Sequence, residues 1–158
     1  MVIYRCTQKI IKRGFDFSSV ELKGNTILGE WYCDYIVKKP YHLVLFTNAI
    51  SLLPIFTKAS PIDTLFARFT SDLELFLQLM GMNREKVNLE IDKMQEYSIK
   101  PTNNRRILGV MNDYKVALNF YLFDNPETLI AISRHLAETP FSVINFQSPI
   151  EVFGKQIK

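Results

Sequence analysis

The stretch RRILGVMNDY (105–114) combines residue types that bind anions. If a helix begins at its apolar third residue, Arg105 and Arg106 lie just before the helix N-terminus, where backbone N–H groups and the helix dipole favour a phosphate or a carboxylate. Gly109 would let a ligand or another chain approach the backbone, and Asn112 lies about one turn further on. The alternative is structural: the arginines pair with surface acids, and the glycine makes room for a neighbouring helix.

Further polar residues lie at the predicted ends of strands. Thr7 and Lys9 follow the β-favouring run VIYRC (2–6), and such positions often carry functional side chains. The alternative is that Thr7 caps a short helix and Lys9 is solvated. Asn48 flanks a tight connection, which turn chemistry alone explains. Trp31 is either a core residue or a platform for a ligand.

The sequence contains no signature of a known reaction. It has no glycine-rich phosphate loop, no GxSxG motif and no HExxH motif. Cys6 and Cys33 lie in predicted strands without a CxxC spacing, and the two histidines are His42 and His135, so we expect packed, reduced thiols, no metal site and no cofactor. An enzyme that stabilises a phosphate-containing transition state through Arg, Lys and Thr, without a metal, stays open.

These residues must be positioned by a fold that begins with strands and continues with helices. β-favouring runs occupy 2–6, 30–37, 42–48 and 50–56, and Pro54 marks the last run as an edge strand or an irregular one. Helical patterns follow, with start signals at Ser60-Pro61, Asn83, position 107, Asn125-Pro126 and Ser148-Pro149. We predict a single α+β domain (1–158), in which an antiparallel sheet of four to five mostly N-terminal strands packs against four to five helices.

Charge is unevenly distributed along the chain. The net charge is +3, and residues 1–58 carry eight Lys and Arg against four Asp and Glu. This bias is mild and falls well short of the basic stripe of a dedicated nucleic-acid binder, and a solvated surface is the simpler explanation. The chain has no apolar run of about 18 residues, as a membrane span requires, and its start has no cleavable leader pattern. We therefore expect a cytoplasmic protein with no membrane partner.

Four short motifs resemble a known family. YRCTQK, LGEWY, LFTN and RILGVMND occur in the order found in a widespread bacterial family of small single-domain proteins of unknown function, over 3–151. The sequence departs from that pattern at Val110, where the family has serine. The resemblance implies a bacterial or mobile-element origin and an intracellular protein, and it brings no established activity. The motifs include Thr7, Lys9, Trp31, Asn48, one of Arg105 and Arg106, and Asn112.

We therefore expect these residues to converge on one pocket at the edge of the sheet. The leading hypothesis is a binding module for an anionic ligand, a nucleic acid or a partner protein, in a bacterial defence or toxin–antitoxin setting. The alternative is a small metal-independent enzyme, such as a ribonuclease or a nucleotide-acting enzyme. A third hypothesis is a scaffold that forms a homodimer through an apolar face.

Overall fold

The computed structural model describes residues 1–17, 20, 22–124 and 128–157. Within these residues the chain forms five strands and six α-helices, which confirms the α+β class. In chain order they are β1 Val2–Cys6, α1 Gln8–Ile11, β2 Trp31–Lys38, β3 Tyr41–Asn48, β4 Pro54–Lys58, α2 Leu65–Leu79, α3 Arg84–Lys93, β5 Tyr97–Pro101, α4 Arg105–Asn119, α5 Leu129–Ala137 and α6 Pro149–Gln156. None of the helices in this part of the chain has the length and apolar character needed to cross a membrane.

The sheet is mixed, whereas consecutive hairpins predicted an antiparallel one. Its strand order is β4-β3-β2-β1-β5. β1 pairs in parallel with both β2 and β5, while β3 pairs antiparallel with β2 and β4. The physical reason lies in the connection 7–30, which includes α1 and is long enough to bring the chain back beside β1 in the same direction.

This topology gathers several strand ends. The carboxyl ends of β1, β2, β4 and β5 and the amino end of β3 all lie at one end of the sheet, which we call the carboxyl end. Cys6, the last residue of β1, pairs with Cys33, so β2 continues five residues further, to Lys38. The end of β2 therefore extends past the end of β1. The edge of β2 that β1 does not cover lies beside α1.

Alternation along the strands divides the core into two layers. On β2, Trp31, Cys33 and Tyr35 face a layer that includes α2, α3 and α6, while Tyr32 and Ile36 face α4 and α5. Side chains of a strand point to opposite faces in turn, and here both faces are covered, so β2 is buried over most of its length. Cys6 and Cys33 are free and buried, as predicted.

Most helix starts follow their capping signals. Asn83 accepts a hydrogen bond from the backbone of Lys86, and Ser148 accepts one from Glu151, both as predicted. Ser60 does not cap a helix, because a short 3-10 turn at Ile62–Thr64 comes between Pro61 and the start of α2.

The remaining two predicted starts lie at position 107 and at Asn125-Pro126. α4 begins at Arg105, two residues before the predicted start, because Asn104 accepts hydrogen bonds from the backbone N–H groups of residues 106 and 107. Asn125 and Pro126, the predicted start of the next helix, lie outside the described residues. α5 begins at Leu129, and the hydroxyl of Thr128 caps it.

Candidate anion-binding site

Thr7 takes part in a polar cluster at the end of β1. Its hydroxyl donates to Oδ1 of Asp34 at 2.6 Å and makes no cap bond to α1. Lys115 of α4 donates to Oδ2 of the same carboxylate, and the backbone N–H of Tyr35 donates to Oδ1 at 2.9 Å. Asp34 is buried, so each of these bonds satisfies an acceptor that has little access to water. The cluster ties the start of α1 to β2 and to α4.

The predicted residues of α4 lie on its surface. Arg105 and Arg106 are exposed in the first turn, and Asn112 is exposed three residues before Lys115. Asn104 already occupies the N–H groups of residues 106 and 107, so the helix end offers an anion fewer free donors than the sequence suggested.

Gly109 and Lys9 are both exposed. A Cβ placed on Gly109 would meet nothing within 4 Å, so packing against another helix does not require this glycine. Lys9 lies in α1, two residues after Thr7. A role for either residue in binding stays a prediction.

Trp31 and Asn48 belong to the core. Both have 0% exposure. Asn48 donates to the carbonyl of Leu28 at 2.7 Å and accepts from the backbone of Ile50 and Ser51, so it holds the turn after β3. Because neither side chain reaches the surface, we remove both from the candidate site. The structure thus connects Thr7 to α4 through Asp34. Trp31 and Asn48 lie in the core, away from the exposed surface of α4.

A cavity of about 710 Å³ opens at the carboxyl end of the sheet. We call it the aromatic chamber, and it is lined by Tyr35, Pro40, Tyr41, His42, Leu43, Lys58, Ser60, Leu122, Thr128 and Leu129. The end of β2, the start of β3 and the end of β4 supply most of this wall. The hydroxyl of Tyr35 lies 3.1 Å from Nδ1 of His42, which fixes the two rings relative to each other.

A second cavity, of about 650 Å³, shares Tyr35 and Ser60 with the first. Its remaining described lining residues are Lys12, Arg13, Gly14, Ala59 and Ile62, and we call it the cationic chamber. The guanidinium carbon of Arg13 lies 3.5 Å from the centroid of the Tyr35 ring, a cation–π contact. Tyr35 is thus part of the boundary between the two chambers.

The charges around the two chambers are unbalanced. The described residues that line them include no Asp or Glu. The ion pairs among the described residues are Arg5–Glu30, Lys115–Asp34 and Arg134–Glu138, so none of Lys12, Arg13 and Lys58 has a carboxylate partner there. Unpaired cations in a groove produce a positive potential that attracts anions.

One carboxylate lies behind Lys58. Asp72 of α2 accepts a hydrogen bond from Thr57 at 2.8 Å and lines a smaller cavity of about 250 Å³ together with Lys58 and Arg68. Burial raises the pKa of Asp72 above its usual value, while the bond from Thr57 and the charges of Arg68 and Lys58 oppose that rise. Asp72 is therefore a neighbour of the site and not a lining residue of either chamber.

Other polar residues near the end of β1 are engaged with each other. Arg5 donates to both carboxylate oxygens of Glu30, at 3.0 and 3.3 Å, and this hydrogen bonding raises the pKa of Arg5. Tyr32 donates to the side chain of Asn103, and burial raises the pKa of Tyr32. Among the described residues, no group of three or more His, Cys, Asp or Glu side chains is placed to hold a metal ion.

Sequence reasoning missed the residues that line the two chambers. Lys58 ends β4, Arg13 and Ser60 lie two residues after α1 and β4, and His42 lies near the start of β3. The signal that would have found them is their position at element ends. That signal is readable only once β1 and β2 are known to be parallel, because an antiparallel pair places the end of β1 at the opposite end of the sheet.

The similarity to a known family extends over nearly the whole chain. Residues 3–152 match the model of a family described as a domain of unknown function, DUF6933, and the chain belongs to this family. No curated protein and no solved structure matches the chain.

Proposed function

We propose that this member of the DUF6933 family is a binding module for an anionic ligand, held at the adjacent aromatic and cationic chambers. One observation carries the proposal: Lys12 and Arg13 line the cationic chamber and Lys58 lines the aromatic chamber, and none of them forms an ion pair with a carboxylate of the described residues. Cations without acidic partners favour a phosphate or a carboxylate from outside the chain.

The position of the two chambers supports this proposal. Binding sites often lie beyond the carboxyl ends of strands, where rigid elements hold side chains that packing does not use. Here three hydrogen-bonded strands supply Tyr35, His42 and Lys58. The cluster of Thr7, Asp34 and Lys115 also fixes where α1 starts, and Arg13 follows α1 by two residues.

Titration calorimetry with inorganic pyrophosphate tests the proposal. We expect binding by the natural protein and loss of binding in the triple variant Lys12→Ala/Arg13→Ala/Lys58→Ala, because three charge-assisted contacts disappear. The matched control is Arg84→Ala/Lys86→Ala/Lys93→Ala, which removes the same number of cations from α3 and should bind like the natural protein. Equal binding by the chamber variant and the control would contradict the proposal.

The two arginines at the start of α4 must be tested in the same experiment. Arg105→Ala/Arg106→Ala removes the exposed arginines of α4. We expect this variant to keep most of its pyrophosphate affinity, because its cations line neither chamber. If this variant loses binding and the triple variant keeps it, the site lies at the start of α4 instead.

The contact between Tyr35 and His42 favours one second candidate, a metal-independent enzyme that acts on a phosphate-containing substrate. A hydrogen-bonded Tyr–His pair at a cavity wall can pass a proton to or from a bound group. RNA and nucleotides incubated with the protein and a chelator should then be converted to product, with loss of turnover in His42→Ala. Lys9→Ala tests the lysine expected from the sequence in the same assay.

A further inference from the structure

We infer that the anionic ligand is a nucleoside phosphate, with its base in the aromatic chamber and its phosphate in the cationic chamber. This inference rests on the proposed function and adds the chemical class of the ligand. The observation behind it is a pair of cavities of different chemistry, whose walls share Tyr35 and Ser60.

The aromatic chamber suits a flat, partly polar group. Tyr41 presents a ring that is 40% exposed, and Leu43 and Leu122 add apolar wall. A nucleobase stacks on such a ring through its π-face. A pocket of about 300–1,000 Å³ is usual for small-molecule ligands, and the chamber measures about 710 Å³.

Polar groups in the same wall argue against a purely aliphatic ligand. Ser60, Thr128 and the imidazole of His42 carry donors and acceptors that a base or a ribose can satisfy. A fatty acyl chain would take water away from these groups without replacing its hydrogen bonds, which is unfavourable. The lining therefore fits a heterocycle with a sugar better than a lipid tail.

The cationic chamber suits the phosphate. Arg13 is held over the ring of Tyr35, on the boundary between the chambers. A ligand whose base lies in the aromatic chamber would bring its phosphate to this boundary, within reach of a guanidinium that can bind it through two parallel hydrogen bonds. Lys12 is exposed beside Arg13 and can add a second positive charge.

Calorimetry with four probes tests the inference: adenosine 5′-monophosphate, adenosine, inorganic pyrophosphate and a short 5′-phosphorylated oligoadenylate. We expect the nucleotide to bind at least tenfold more tightly than adenosine or pyrophosphate alone, because only the nucleotide occupies both chambers. Tighter binding of the oligonucleotide than of the mononucleotide would identify the source as a nucleic acid strand. Tighter binding of the mononucleotide would identify it as a free nucleotide.

Two variants separate the chambers. Lys12→Ala should weaken nucleotide and pyrophosphate binding about tenfold and leave adenosine binding unchanged, since a single charge-assisted contact is lost. Tyr41→Ala should weaken nucleotide and adenosine binding and leave pyrophosphate binding unchanged. The controls are Arg84→Ala on α3 and Phe146→Ala, whose ring is 76% exposed and lines neither chamber.

The outcomes distinguish the inference from the proposed function. If pyrophosphate binds through the chamber cations but the nucleotide binds no more tightly, the anion-binding module stands and the nucleoside phosphate is wrong. If none of the charged probes binds, both fail. If the nucleotide binds equally well to the natural protein and to Tyr41→Ala, its base does not occupy the aromatic chamber, and the inference is overturned.

Discussion

Asp34 is a buried carboxylate surrounded by three donors. Thr7, Lys115 and the backbone N–H of Tyr35 each donate to it. The Asp34 side chain is 7% exposed and that of Lys115 is 20% exposed, so water replaces neither partner easily. The intact Asp34–Lys115 ion pair contributes little net free energy to stability. Removing one partner is strongly destabilising, because the other charge then stays buried without its partner.

Replacing Lys115 by methionine tests this point. We expect Lys115→Met to lower the free energy of unfolding by about 3 kcal/mol, because Asp34 loses its charged partner. Urea denaturation measures the change. The double variant Asp34→Asn/Lys115→Met should recover most of the loss, since no unpaired charge is left. A double variant as unstable as the single one would show that the cost arises from packing of the lysine side chain.

A second single-residue effect concerns the turn between β3 and β4. The hydroxyl of the buried Tyr114 donates to the carbonyl of Leu52 at 2.7 Å, and Leu52 has a φ of 64°. Tyr114→Phe removes the donor and leaves a buried carbonyl without a partner, so we expect a loss of about 1–3 kcal/mol in thermal or urea unfolding. Tyr121→Phe is the control, since its ring is less buried. Equal stability of Tyr114→Phe and the natural protein would mean that water replaces the hydroxyl.

At the scale of elements, α4 combines a packed face with an open one. Ile107, Met111, Tyr114 and Leu118 are buried, while Gly109 lies on the open side without close neighbours. Glycine within a helix costs about 1 kcal/mol relative to alanine. Packing therefore does not explain why a glycine stands at this position of α4.

Alanine at position 109 tests that surface. We expect Gly109→Ala to raise the free energy of unfolding by about 0.5–1 kcal/mol, because the added methyl group meets no atom and the unfolded chain becomes less flexible. Gly154→Ala in α6 is the matched control, since its Cβ also meets nothing within 4 Å. Both variants should bind pyrophosphate normally. Destabilisation by Gly109→Ala alone would contradict this account of the helix.

At the scale of the whole molecule, most of the Lys and Arg residues in the first 58 positions lie at the carboxyl end of the sheet. Six of the eight Lys and Arg in that segment follow or end elements at the carboxyl end of the sheet, namely Lys9, Lys12, Arg13, Lys38, Lys39 and Lys58. A solvated surface was one explanation for this bias. Three of these six cations, Lys12, Arg13 and Lys58, line the two chambers, where their fields add.

Salt should therefore affect binding in a way that depends on the chamber cations. Raising the ionic strength from about 0.01 M to about 0.15 M shortens the screening length from about 30 Å to about 8 Å. We expect the affinity of the natural protein for pyrophosphate to fall several-fold over this range. The α3 control variant should show the same fall. A salt-independent affinity in the natural protein would mean that contacts other than charge hold the ligand.

Much of the architecture could be predicted from local patterns. The strand runs 2–6, 30–37 and 42–48, the capping residues Asn83 and Ser148, the edge position of β4 and the buried free cysteines all depend on residues close in sequence. These features follow from side-chain periodicity and from the hydrogen bonding of a few neighbouring groups, which is why a single sequence sufficed. The α+β class follows from the same patterns. The run 50–56 was placed less well, since β4 spans Pro54–Lys58 and a turn precedes it.

The direction of β2 relative to β1 could not be read from local patterns, and the site depends on it. Strand pairing joins residues far apart in sequence, such as Cys6 and Cys33, and the alternation of side chains is the same in both directions. The sequence alone determined that the first part of the chain is basic and strand-rich, and it singled out Thr7. Only the tertiary structure decided that Arg13 and Lys58 line two cavities that share Tyr35, because parallel pairing brings the ends of β1, β2 and β4 to the same end of the sheet.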